Sequence, residues 1–131
     1  MHAASYWDFA LPVLARWRRS PTGGINHACE METALMAATR PDLVRMDLAA
    51  DHYLDRPRWF GSDLLAGGAV TTAASFAALS PSGVIGAPTL ATPERGAELL
   101  SAITVAVADF LVDLAGWPLP SETPATMEPA R

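Results

Sequence analysis

The sequence predicts an α/β fold, and three observations carry that reading. A long apolar-periodic segment covers residues 93–115. A second run of good helix formers covers residues 29–39, behind a Gly-rich loop. Short β-prone pieces at residues 4–8 and 70–76 lie outside both. The 131 residues fit one domain and are enough to bury a core.

In chain order, Tyr6, Trp7 and Phe9 open an aromatic cluster, and residues 4–8 read as the end of a strand or its exit into a loop. Pro12 is allowed in a first helical turn. Leu11, Leu14, Ala15 and Arg18 follow at helical spacing, which predicts a short helix over residues 12–19. The breaker run SPTGG ends it. In residues 29–39, Met31, Leu35, Met36 and Ala38 recur at three- and four-residue steps. Pro41 stops that helix near Thr39 or Arg40, and Asp42 is placed to cap one further turn. Residues 47–88 hold several Gly and Pro between short apolar pieces. Apart from a strand over 70–76 they read as irregular loop, of the kind that is functional or interfacial. Thr92, Pro93 and Glu94 form a helix start of capping hydroxyl, first-position proline and first-turn acid. Leu99, Ile103, Val107, Phe110 and Leu114 mark its apolar face, widened by Leu100 and Leu111, and Gly116 stops it. The four-proline tail over residues 118–131 reads as disordered.

Composition narrows the function classes. Half of the residues are hydrophobic and 18% are charged, so part of the surface is expected to be covered by other protein. The net charge is −5 and no lysine occurs. Arg16, Arg18 and Arg19 form the one basic cluster, which argues against nucleic-acid binding. A single cysteine, Cys29, rules out an internal disulfide and a multi-cysteine zinc site and fits a reducing, cytoplasmic setting. Neither a signal peptide nor a membrane span is legible.

The chemistry concentrates in INHACEMETALMAATRPDLVRMD. His27 precedes the helix, and Glu30 and Glu32 fall in its first turn. On a helix, residues two apart point about 200° away from each other. Only one of these carboxylates therefore shares a face with His27. First-turn N–H groups favour an ionised carboxylate, which a divalent metal requires. The same residues also read as ordinary helix-start acids behind a loop histidine, and no second His follows one turn later. Metal site, acid–base site and plain capping all stay open at this level. Cys29 is a candidate nucleophile, although near-adjacent side chains rarely face each other. His52 reads as a loop residue or a ligand, Asp8 as a strand-end polar group or a helix cap, and His2 is terminal. P-loop, GxGxxG and GxSxG motifs are absent.

Taken in order, SYWDF, HACEMETALMAATRPDLVR and GVIGAPTLATPERGAELL resemble the C-terminal half of the creatininase family of metal-dependent amidohydrolases, from about Ser5 to Trp117. The resemblance implies a three-layer α/β/α fold with a mainly parallel sheet, of which residues 1–117 would be the C-terminal portion, and a homo-oligomer. It implies two divalent metals per intact site (zinc, manganese or iron) and a small-molecule amide substrate. His27 matches the proton-transfer residue serving the leaving nitrogen, Glu32 a metal ligand or close neighbour of the metals, and Trp7 the indole that packs on a substrate ring. Three positions depart from the family pattern: Cys29 replaces Gly, Ala34 replaces Ser, and Ala87 replaces a polar residue. The family's early acid and His, bridging Asp and GHGGN-like segment do not precede MHAASYWDF. The expectation is a truncated enzyme, inactive unless an N-terminal-half polypeptide completes it. The alternative is a degenerate, non-catalytic assembly module.

Overall fold

A computed structural model describes residues 3–118. His2 and residues 119–131, nearly all of the tail expected to be disordered, lie outside them. The order is a 3₁₀ turn (Asp8–Ala10), helix α1 (Leu11–Trp17), strand β1 (Ile25–His27), helix α2 (Glu30–Thr39), two 3₁₀ turns (Pro41–Leu43, Met46–Leu48), helix α3 (Phe76–Leu79), strand β2 (Ile85–Gly86), a 3₁₀ turn (Pro88–Leu90) and helix α4 (Pro93–Ala115).

The three expected helices form within a residue or two of their predicted bounds, because their start and stop chemistry is local. Pro12 sits in the first turn of α1. Arg40 closes α2 through its N–H to the Met36 carbonyl, ahead of Pro41. The Thr92 hydroxyl accepts the Arg95 N–H, and Gly116 caps the far end of α4. Asp42 does not cap. It lies inside the next 3₁₀ turn and forms an exposed ion pair with Arg40, of little energetic weight.

The strand expectations fare differently. Residues 4–8 are not a strand: Asp8 N–H bonds to the Ser5 carbonyl and Ala10 N–H to the Trp7 carbonyl, folding the segment into turns. No strand among the described residues lies alongside to accept its backbone groups, so they are satisfied locally. Asp8 itself is inside the 3₁₀ turn and caps nothing. Residues 70–76 are not a strand either. Val70 makes one isolated bridge to Phe60, residues 71–75 are exposed and unladdered, and Phe76 begins α3. The sheet present among the described residues is the antiparallel pair β1–β2, with Ile25 opposite Gly86 and His27 opposite Ile85. The mainly parallel sheet implied by the resemblance is not among these residues.

The core lies where α1, β1, α2 and α4 meet, around Leu14, Trp17, Ile25, Cys29, Met31, Ala34, Leu99 and Ile103. The α2–α4 crossing sets its geometry. A Cβ on Gly96 would fall 1.8 Å from the Ala34 carbonyl oxygen, so the two helices touch backbone to backbone. At the other end of the same motif, Gly86 has φ +132°, and a Cβ there would meet Gly24 O at 2.5 Å and Cys29 Cβ at 2.7 Å. Both glycines of the G-x-P-x-x-A-T-x-E-x-G stretch are thus close-approach positions. On α4 the buried face is narrower than expected. Leu99 and Ile103 are buried and Phe110 stacks on Phe9 at 4.5 Å, while Leu100, Leu111 and Val112 are exposed. No helix among the described residues is long and apolar enough to cross a membrane.

Candidate active site

The site is built on the turn between β1 and α2. His27 ends the strand, and Ala28 reverses the chain in a left-handed conformation (φ +46°). Cys29 returns to extended backbone as the residue before α2. Thr33 Oγ1 donates to the Ala28 carbonyl and fixes this turn to the helix.

Glu30 and Glu32 separate as helical geometry requires. Glu30 is fully buried, and its two oxygens accept the backbone N–H groups of Arg19 and Ser20 at 3.0–3.1 Å. Arg95 lies 3.6 Å away as its ion-pair partner. Arg95 also stacks on Trp17 at 4.4 Å and accepts the Trp17 indole N–H on its carbonyl. Glu30 therefore ties α1, α2 and α4 together and has no oxygen to spare.

Glu32 faces the other way. It lines a cleft of about 330 Å³ with Ala28, Thr33, Arg45 and the apolar Met36, Leu43 and Val84. Its Oε2 is buried, and no hydrogen-bond partner for it exists among the described residues. Tyr6 is within its electrostatic reach: burial, then the Glu32 carboxylate, then Cys29 push the Tyr6 hydroxyl above its ordinary pKa. Trp7 is half-buried, packs on the core and meets the Tyr6 ring edge-on at 4.9 Å. The His27 ring is exposed and lies against Phe76, centroids 4.3 Å apart. The cleft thus holds Glu32 and Ala28, the residue after His27, while Tyr6 lies outside its lining but within electrostatic reach of Glu32. His27, Glu32 and Trp7 are not in mutual contact.

Other candidates resolve to structural duties. Cys29 is fully buried. Burial pushes its thiol up, nearby backbone N–H groups oppose this, and the Glu32 carboxylate adds to it, so the thiolate is disfavoured. Its sulfur belongs to the core rather than to the cleft. Ala34 is buried against Gly96 at the helix crossing. His52 exchanges backbone bonds with Gly86, and its Nε2–H donates to the Leu79 carbonyl at 2.9 Å.

Asp63, which the sequence did not single out, ties the long loop to Arg18 after α1 and to the turn before β1. Its buried carboxylate is bidentate with Arg18 and accepts the N–H groups of Gly23 and Leu65. Burial alone would raise its pKa, but these donors hold it below the usual aspartate value. Arg45 and Phe76 were also missed. They sit in the loop-rich middle of the chain, where periodicity is silent.

The donor set does not amount to a metal centre on its own. No three His, Cys, Asp or Glu side chains converge among the described residues. The orphaned Glu32 oxygen fits one ligand position, and the remaining positions have no candidates here.

Searches of curated proteins and of solved structures returned no match. A family model described as creatinine amidohydrolase matches residues 2–111, which is most of the chain. The chain belongs to the creatininase family, whose members are amidohydrolases.

Proposed function

We propose that this chain serves the hydrolysis of a C–N amide bond in a small cyclic or linear amide, as the C-terminal part of a creatininase unit. The observation that carries the reading is Glu32. A buried carboxylate oxygen without a partner is costly, and its residue lines a cleft together with Ala28, which follows His27. A bound ion is one of the completions that such a group accepts.

In this reading Glu32 supplies one carboxylate to a divalent-metal centre of zinc, manganese or iron. The other donors come from outside residues 3–118, from a second polypeptide or a partner subunit. Bound there, such metals supply Lewis acidity and an activated water. The roles of this chain's own residues are simpler. Water's oxygen bonds to the carbonyl carbon while the C–N bond breaks. The departing nitrogen needs a proton, and an imidazole can both give and take one through its ring nitrogens, which assigns the transfer to His27. Trp7 supplies an apolar wall. The reaction would run in the cytoplasm, by a homo-oligomer.

The test measures hydrolysis of cyclic and linear amides, and bound zinc, manganese and iron. The chain is prepared alone and co-expressed with the segment encoded upstream of it. Stoichiometric metal that is lost in Glu32→Ala, and hydrolysis that is lost in His27→Ala, are expected in the completed assembly. Absence of both under every condition overturns the reading. It would favour a non-catalytic assembly module, for which the exposed Leu100, Val105, Leu111 and Val112 on α4 speak.

A further inference from the structure

A proton-transferring imidazole is ordinarily oriented through one ring nitrogen, bonded to a carboxylate or a carbonyl. His27 lacks such a bond. Its neighbours are held, Asn26 by its side-chain N–H to the Ser62 carbonyl and Ala28 through Thr33. Among the described residues, however, neither nitrogen of His27 has a partner. What meets the ring is Phe76, at 4.3 Å between centroids and 34° between planes, a close, tilted face-to-face contact.

Core packing does not explain the position of Phe76. Helix α3 has four residues, none of them buried, and Phe76 itself is 52% exposed. The helix is held from its far end. His52 Nε2–H binds the Leu79 carbonyl, and the His52 backbone exchanges bonds of 2.9 and 2.7 Å with Gly86. Gly86 belongs to β2, which pairs with the strand that ends in His27. Phenyl and imidazole are thus referenced to the same two strands.

We infer that Phe76 is a positioning residue for His27. It fixes the plane of the imidazole by stacking and leaves both nitrogens free. The ring gives one proton to the leaving nitrogen, as the C–N bond breaks, and is restored by one proton from the water whose oxygen joins the carbonyl carbon. A hydrogen-bonded orienter would occupy one of those nitrogens; a stacked one does not. His52 acts at one remove, by holding α3 in place. This inference rests on the proton-donor role proposed for His27.

The test uses ¹H–¹³C NMR of the His27 ring in the full chain, together with hydrolysis by the completed assembly. Wild type, Phe76→Ala, Phe76→Tyr and His52→Ala are compared. The His27 ring protons are expected to carry an upfield ring-current shift that is lost in Phe76→Ala and His52→Ala and kept in Phe76→Tyr. In hydrolysis, Phe76→Ala should lower kcat about tenfold with little change in KM, the cost of a misplaced group, and Phe76→Tyr should restore it. An unchanged His27 signal in Phe76→Ala overturns the inference, as does an effect confined to KM. Hydrolysis that needs His27 but ignores Phe76 overturns the positioning role alone. No hydrolysis by any completed wild-type assembly overturns the proposed function, and the positioning role with it.

Discussion

Glu30 and Glu32 stand two residues apart in the first turn of one helix, yet their surroundings are opposite. Glu30 is enclosed by two backbone N–H groups and Arg95, and it faces the junction of α1 and α4. Glu32 faces a cleft with one oxygen left bare. The difference teaches how the helix is used. One side of its amino end is committed to holding the molecule together. The other side leaves a carboxylate oxygen without a partner among the described residues.

That division is open to direct attack. The most damaging change belongs to the committed side. Gly96→Val would drive a side chain into the Ala34 carbonyl, where backbone rather than a flexible side chain must give way. Its cost should exceed about 3 kcal/mol, seen as a lower urea midpoint or as failure to fold. Next comes Glu30→Ala, which strands Arg95 and two backbone donors. A loss of about 3 kcal/mol is expected by the same measurement. If Glu30→Ala leaves the midpoint unchanged, the contrast between the two acids fails.

Acid should weaken the same committed side. Asp63 has a folded-state pKa below its ordinary value of 3.8. The stability it contributes is fully present above that value and is lost as pH falls through the lower, folded one. Thermal melts between pH 6 and pH 2 should therefore show a steep drop at the acid end, and Asp63→Asn should flatten it. A smaller effect is expected on the open side. Glu32→Gln removes a charge that is satisfied by nothing present, so stability should stay within about 0.5 kcal/mol of wild type. Metal uptake and hydrolysis by the completed assembly should nonetheless be lost. The slightest signal concerns Cys29. At neutral pH its buried thiol should react with iodoacetamide at least about tenfold more slowly in the native chain than in urea. Rapid native labelling would reopen the reading of Cys29 as a nucleophile.

The sequence made the helices legible because their signals are local. Thr92-Pro93-Glu94 and Gly116 bound α4, and Pro41 bounds α2 whatever surrounds it. It also made the divergence of Glu30 and Glu32 legible, since that follows from helical pitch alone. Which acid would be buried was not legible, because Arg95 and the Arg19–Ser20 backbone arrive from distant parts of the chain. Strands failed for a related reason. Residues 4–8 and 70–76 have β-prone side chains, but a strand exists only beside a partner, and among the described residues these meet nothing beyond the single Val70–Phe60 bridge. Asp63 and Phe76 lie in a stretch without periodicity. Their partners, Arg18 and His27, are more than forty residues away in the chain, and pattern reading has no access to contacts of that kind.

Ala28 carries one more consequence. A single left-handed residue joins the strand of His27 to the helix of Glu32, with Cys29 locked into the core just beyond it. Such a joint has almost no slack. If α2 slides or tilts, the imidazole must travel with it, like a pointer rigidly fixed to a lever.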